Sequence, residues 1–347
     1  MPPVGENQAT PADHAGGRHE VRPAFAPLNP NWPTLRGFEG DHLRRVQVGL
    51  GGIGTGSFAI SGRGHPCQFE LMNRPSDGHR HLGLWGACCF ILRTQTEGAP
   101  PTARCLEGEA DTVEMDGPNG AVIPHGGLPK FQHARFDAAY PLTQVRLSDP
   151  DVPLRVRLEA FNPMIPGNAD DSGIPITVLR YVLDNPFDQP VDTMVCGTWR
   201  NFIGCDGVVP ILKDADNINQ FRASQDFSGI AMSSDGVDPR STGWGTMALA
   251  TTETDDLTYR TNWLNDGWQA EWIDFWDDLL EDGALSQREQ LKHCDQPIGS
   301  LAPRVTVPPG ESKAVTFLVS WHFPNRVTWS PKKEGAQPGI SDTGPNG

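Results

Sequence analysis

A glycine-rich run near the N-terminus contains the spacing that some enzymes use to bind dinucleotides. Gly49, Gly51 and Gly54 form a GxGxxG match after a short predicted strand. That fingerprint needs a helix immediately afterwards, because the pyrophosphate binds at the helix N-terminus. The residues that follow, SFAISGRG, alternate and reach another glycine turn, which leaves no room for a helix. The run therefore predicts a close backbone crossing where a side chain would not fit, and a dinucleotide-binding oxidoreductase would need a helix after Gly54.

Side chains that could ligate a metal are scattered along the chain. His79 and His81 would lie on the same face of a strand, but no third and fourth ligand follows at the spacing of structural zinc sites. Solvent-facing or hydrogen-bonded histidines are the favoured interpretation, and neither a metal nor a cofactor is expected. The other candidate ligands are His65, Cys67 and His322.

Carboxylates for hydrolytic chemistry are plentiful but not paired in a recognisable way. A GxSxG nucleophile elbow is absent from the sequence. The acidic residues concentrate in WQAEWIDFWDDLLED (268–282), where aromatic residues recur at helical spacing and Gly283 is placed to cap the helix. We predict an amphipathic helix that packs on a sheet and exposes a solvated acidic face. No catalytic residue is assigned to this chain.

The elements around these residues are predicted to be mainly strands. Residues 154–161 alternate strictly between apolar and charged side chains, which indicates a half-buried strand. Residues 85–92, 176–183 and 314–323 are richer in apolar residues and suit central strands covered on both faces. We therefore predict a mainly β fold, a large antiparallel β-sandwich with few short helices.

Composition and charge exclude several classes of protein. The 347 residues include 38 Gly and 32 Pro, which disfavours a mostly helical fold. The net charge of −15 argues against nucleic-acid binding, and no apolar run approaches the roughly 18 residues of a membrane-spanning helix. We expect disordered tails at 1–25 and 330–347, the second being a tail or a truncated linker, with the sandwich at 40–329.

Seven scattered cysteines without a CxxC pair predict reduced, buried thiols. The N-terminal segment has neither the basic start nor the apolar run of a signal peptide, so a cytoplasmic location is expected.

Four separated segments follow one another in an order shared with a known family. They are GLGGIGTGSFAISGRG (49–64), CQFELMNRP (67–75), LEAFNPMIPGNADDSGIPITVLRYVLDNP (158–186) and PPGESKAVTFLVSWHFPNR (308–326). Together they resemble the N-terminal domain of glycoside hydrolase family 116, which includes non-lysosomal glucosylceramidase and bacterial β-glucosidases. The resemblance runs from about residue 45 to 329, and Gln68 departs from the family pattern.

The resemblance implies a sandwich that packs against a helical (α/α)₆ toroid, either as a domain or as a separate subunit. In the family that toroid carries the catalytic carboxylates, and a β-glucoside or glucosylated lipid is the substrate of the full enzyme. The resemblance also implies residues at the domain interface or at the sugar-binding rim, with an ion pair inside the sandwich as the alternative for the charged ones. They are Gly51, Gly52, Gly54, Gly56, Arg63, Glu70, Asn73 and Arg74.

An independent carbohydrate-binding module is the second hypothesis. Sandwich modules of that kind stack sugars on exposed aromatic rings, although tryptophan is more often buried. The candidate tryptophans near turn signals are Trp199, Trp244, Trp263 and Trp329.

Overall fold

The computed structural model describes six stretches of the chain, residues 36–72, 88–110, 127–205, 214–265, 270–289 and 293–326. The predicted tails at 1–25 and 330–347 lie outside these stretches. So do Asn73, Arg74, His79, His81 and Trp329.

The described residues form eighteen strands, which confirms the mainly β prediction. In chain order the strands are β1 Arg36–Glu39, β2 Gln47–Leu50, β3 Ser57–Ser61, β4 Pro66–Glu70, β5 Cys89–Gln95, β6 Thr102–Gly108, β7 Lys130–Phe131, β8 His133–Ala139, β9 Leu142–Ser148, β10 Arg155–Phe161, β11 Ile176–Asp184, β12 Val191–Arg200, β13 Asn217–Ala223, β14 Ser228–Ser234, β15 Thr246–Thr251, β16 Leu257–Arg260, β17 Ile298–Val307 and β18 Ser312–His322. The helices are a 3₁₀ helix Gly40–Arg45, α1 Ala169–Ser172 and α2 Ala270–Asp282.

These strands form three sheets. The nine-stranded sheet has the order β1-β8-β9-β10-β11-β18-β15-β14-β13, and the six-stranded sheet has the order β16-β17-β12-β5-β6-β7. A small sheet, β2-β3-β4, completes the fold. Of the described strand pairs, β6 and β7 run parallel and the rest antiparallel.

The main hydrophobic core lies between the two large sheets. Phe90 of β5 meets Tyr181 of β11 and Phe317 of β18, at ring-centroid distances of 5.2 and 5.1 Å. The small sheet extends this core, because Phe58 of β3 packs edge-on against Trp199 at 5.3 Å. Burial of apolar side chains in this core is the main favourable term in folding, and the aromatic rings contribute large buried areas to it.

Two strands differ from the prediction. Strands β11 and β18 are central in the nine-stranded sheet, as expected, but their residues alternate between buried and half-exposed. The prediction that both faces are covered was therefore wrong for these strands. It holds for β5, whose residues are buried from Cys89 through Thr94. The outer face of β5 is covered because helix α2 packs there.

Helix α2 builds a second, smaller core on the outer face of the six-stranded sheet. Phe275 and Leu279 are buried against Cys89, Ile91 and Cys196 of that sheet. Gly283 follows the helix with a positive φ of 73°, which confirms the predicted cap. No disulfide joins the seven cysteines, all of which lie in the described stretches; six are buried as predicted, whereas Cys294 is half-buried.

The acidic face of α2 is solvated only in part: Asp277, Glu281 and Asp282 are exposed as predicted, whereas Asp274 and Asp278 are not. Asp274 and Asp278 form a closed ring of ion pairs with Arg260 of β16 and with Arg288. The Arg260 side chain is fully buried, and its two terminal nitrogens lie 2.7 Å from one oxygen of each aspartate. Buried charges are tolerated only when they are paired, so this ring fastens the helix to the edge of the sheet.

We predict that Arg260→Ala destabilises the protein strongly. It leaves the nearly buried Asp278 carboxylate with Arg288 as its remaining partner in the ring, and breaking a buried pair costs about 3–5 kcal/mol. Equilibrium unfolding in urea, followed by tryptophan fluorescence, measures the change. Arg240→Ala is the control, because Arg240 pairs with Asp238 in solvent, where an ion pair contributes little to stability. Equal effects of the two substitutions would contradict a structural role for the ring.

The same ring predicts a pH dependence. Burial on its own opposes ionisation of Asp274, but hydrogen bonds from Arg288 and Arg260 outweigh it and hold the pKa below its usual value. A carboxyl with a depressed folded pKa stabilises the fold above its unfolded pKa of about 3.9. That stabilisation is lost as the pH falls through the folded pKa.

The melting temperature of Asp274→Asn should therefore lie well below that of the wild type at pH 6, and the difference should shrink as the pH falls below about 4. Thermal unfolding at several pH values measures this difference. Asp277→Asn, at an exposed position of the same helix, is the matched control. Its melting temperature should stay near that of the wild type both at pH 6 and below about pH 4. A difference between wild type and Asp274→Asn that stays constant with pH would rule out the ionised pair.

Candidate functional site

The four family-like segments converge at one end of the sandwich. The loop between β2 and β3, residues 51–56, is named the glycine loop here. Its Ile53 amide donates a hydrogen bond to the Ser172 carbonyl of α1, at 2.8 Å. The indole of Trp321 on β18 donates to the Thr55 carbonyl, also at 2.8 Å. Segments more than 260 residues apart in the chain therefore share one hydrogen-bonded surface.

Close backbone contacts explain the glycines of this loop. A Cβ on Gly51 would lie 2.2 Å from the Gly56 carbonyl oxygen, and one on Gly52 would lie 2.4 Å from the Ile174 carbonyl oxygen. Gly56 has a φ of +87°, and its Cβ would approach the Glu70 carbonyl oxygen to 2.5 Å. The predicted close crossing is confirmed. Strand β3 begins directly at Ser57, so the helix that a dinucleotide site requires is absent there.

The structure separates the predicted interface residues into two groups. Glu70 pairs with Ser57 across β3 and β4, so it lies beside the glycine loop and its side chain is exposed. Arg63 follows the opposite end of β3, where its guanidinium donates to the Glu109 carbonyl. An ion pair inside the sandwich involving Glu70, the alternative considered above, does not form among the described residues. Asn73 and Arg74 lie outside them.

Three of the candidate metal ligands, His65, Cys67 and His322, lie in the described stretches, and none of the contacts found for them requires a metal. The Nδ1 atom of His65 lies 2.9 Å from the Ser61 hydroxyl and 3.3 Å from a Glu107 carboxylate oxygen. Burial raises the pKa of Cys67 to about 12, so its thiol stays protonated at neutral pH and is a poor ligand. His322 is exposed. This arrangement agrees with the solvent-facing or hydrogen-bonded interpretation.

A second group of possible ligands was not predicted from the sequence. Asp216, His293 and Asp295 place one ligand atom each within 4.8 Å of one another. One Asp295 oxygen already accepts the backbone N–H groups of Ala215 and Asp216, at 2.8 and 3.2 Å, and lies 3.1 Å from the His293 ring. Burial alone opposes ionisation of Asp295, but these hydrogen bonds outweigh it and hold the pKa of Asp295 below its usual value. Hydrogen bonding within the chain accounts for this group.

Three exposed isoleucines lie around the glycine loop, and sequence reasoning did not single them out. Ile53, Ile165 and Ile174 are 57%, 49% and 44% exposed and form what is called the isoleucine patch. Ser172 joins them, because its hydroxyl bonds the Ile165 backbone while its carbonyl accepts from Ile53. The available signal was an apolar residue next to glycine or proline in three separate motifs, IGTG, MIPG and SGIP.

The last described residues of the chain are fastened to the same end. The Asn325 amide donates to the carbonyls of Pro239 and Ser241, at 2.7 and 2.8 Å. The Arg326 guanidinium then donates to the Gly54 carbonyl at 3.2 Å. The described chain therefore ends beside the glycine loop, which lies within reach of the Arg326 side chain.

The tryptophans suggested for sugar stacking do not form an exposed platform. Trp199 and Trp263 are buried, and the Trp263 indole donates to Ser300 at 2.7 Å. Trp244 is half-buried, and Trp329 lies outside the described residues. Within the described residues, the carbohydrate-binding hypothesis therefore lacks an exposed tryptophan surface.

Comparison with known families identifies this set of motifs. A family described as "beta-glucosidase 2, glycosyl-hydrolase family 116 N-term" matches residues 48–336, most of the chain. The chain belongs to glycosyl-hydrolase family 116. It is the N-terminal domain of that family, a glycosidase-associated sandwich, and the resemblance found in the sequence is confirmed. The glycine loop and the WHFPNR segment both fall within the matched range.

Solved structures are similar only at the level of a broad outline. A polysaccharide lyase matches with a TM-score of 0.35 and 11% identity, over 78% of this chain and 31% of the other. A protein described as a kojibiose phosphorylase from the human microbiome matches with a TM-score of 0.39 and 10% identity, over 82% and 32%. An Escherichia coli K12 protein described as an aldose 1-epimerase matches with a TM-score of 0.35 and 10% identity, over 80% and 99%. This family 116 domain thus spans about a third of the length of the first two.

The helices that the structure describes include none that is long and apolar enough to cross a membrane.

The glycine loop yields a direct test of its packing. Gly52→Ala should lower the free energy of unfolding by about 1–3 kcal/mol, because its Cβ meets backbone that cannot rotate away. Gly49→Ala is the matched control in the same run, since its Cβ has its nearest contact at 3.7 Å. Urea unfolding of both variants decides the matter. Equal stability of both variants would show that the loop tolerates a side chain at Gly52.

Proposed function

We propose that this chain is the non-catalytic N-terminal β-sandwich of a retaining β-glucosidase or glucosylceramidase-like hydrolase. It packs against a helical (α/α)₆ catalytic domain, supplied by the same polypeptide or by a separate subunit. The full enzyme acts on a β-glucoside or a glucosylated lipid in the cytoplasm. The observation that carries this proposal is the family match over residues 48–336, whose motifs meet at the end where the described chain leaves the sandwich.

The carboxylates of the chain support a non-catalytic role. A general acid for glycosidic cleavage needs a raised pKa and access to the leaving-group oxygen. The helix with the densest acidic sequence instead holds Asp274 and Asp278 in ion pairs with two arginines. The pKa of Asp274 is lowered, which is opposite to the shift that a general acid requires.

The predicted interface residues support this proposal to different degrees. The glycines of the loop and Glu70 lie together at the end where the chain leaves, so we assign them to the domain interface or the sugar-binding rim. Arg63 binds the Glu109 carbonyl at the other end of β3, so its contribution is to the sandwich itself.

An activity assay tests whether hydrolysis requires the helical catalytic domain. The purified chain alone should not hydrolyse an aryl β-glucoside. Co-expression with the family 116 catalytic domain encoded in the same genome should restore hydrolysis, and the two proteins should co-purify. Nucleotide sequence downstream of the chain shows whether that domain is in frame or in a separate gene. Turnover by the isolated chain, lost on substitution of one of its own carboxylates, would refute the proposal.

A further inference from the structure

We propose that the isoleucine patch is the surface on which the helical catalytic domain docks, with Ile53 at its centre. This inference rests on the proposed function, because the partner is the catalytic domain named there. It adds the apolar side chains that form the contact, beyond the glycines and Glu70 assigned there.

The patch is held rigidly. The Ile53 amide is bonded to Ser172, and the next two carbonyls of the loop accept hydrogen bonds from Arg326 and Trp321. Ile165 is fixed through both its amide and its carbonyl by the Ser172 hydroxyl, at 2.8 and 3.1 Å. A surface whose backbone is already ordered loses little conformational entropy when a partner binds.

The fold itself gains little from these three side chains. The Ile53 side chain is more than half exposed, and a Cβ at the neighbouring Gly54 would meet nothing within 4 Å. Single exposed apolar residues are ordinary on protein surfaces. Three β-branched ones on one hydrogen-bonded cluster are typical of an interaction site.

The position at which the chain leaves the sandwich indicates which partner covers the isoleucine patch. Asn325 and Arg326 pin the polypeptide against the glycine loop, so whatever follows residue 326 is tethered beside Ile53. A domain joined to residue 326 by a short linker is therefore held next to this surface. The exposed residues Asp170, Asp171 and Arg326 border the patch and supply the polar rim of an interface.

The test uses this chain and the family 116 catalytic domain of the same genome, expressed as two proteins. The double variant Ile53→Ser with Ile174→Ser should raise the dissociation constant about tenfold or more in isothermal titration calorimetry, since both isoleucines are central anchors. Its melting temperature should fall by only a few degrees, because Ile53 is 57% exposed and Ile174 is 44% exposed. Ile273→Ser is the matched control, as Ile273 is 66% exposed on α2, and it should leave the dissociation constant within about twofold.

The outcomes separate this inference from the proposed function. A wild-type chain that does not bind the catalytic domain defeats the proposed function, and the docking site fails with it. Binding that is equally tight in the double variant overturns the patch alone, as does equal weakening by Ile273→Ser. Sedimentation of the chain by itself tests whether the patch binds a second copy of the same chain instead. Self-association that the double variant abolishes would assign the patch to a second copy and overturn the inference.

Discussion

The contact between Trp321 and the glycine loop is the interaction on which the family-specific end of this sandwich depends. The Trp321 ring lies 5.9 Å from Phe58, its indole binds the Thr55 carbonyl, and its amide donates to Pro175. It lies 3.0 Å from where a Cβ of Gly51 would be. The side chain of Trp321 thus ties the central strand β18 to the small sheet, and its backbone amide ties the strand to the segment before β11. Glycine at the crossing is the condition for that contact.

A different kind of interaction fastens the second layer of the molecule. Helix α2 packs its apolar side on the six-stranded sheet, where Trp263 stacks on Phe275 at 4.1 Å, but a ring of charges fixes its position. The buried guanidinium of Arg260 receives a carboxylate on two successive turns of the helix, Asp274 and Asp278. Apolar packing tolerates sliding along a sheet, whereas paired buried charges permit one register, because any shift leaves a charge unpaired.

Local periodicity predicted what depends on neighbours in sequence. The alternation of β10, the helix around Phe275 and the crossing at Gly51 follow from spacing alone. The failures concern partners that are distant in the chain. Asp278 is buried because Arg260 lies opposite, and β11 keeps a half-exposed outer face because no described layer covers it. The isoleucine patch could not be predicted from the sequence for the same reason, since only the fold brings its three motifs together.

Strand β18 joins the exit of the chain to the middle of the largest sheet. It spans eleven residues, and it pairs with β11 over nine positions on one side and with β15 over six on the other. Three residues separate the end of this strand from Arg326. A force applied to the chain beyond residue 326 therefore acts on a central strand that is hydrogen-bonded on both sides, and not on an edge strand.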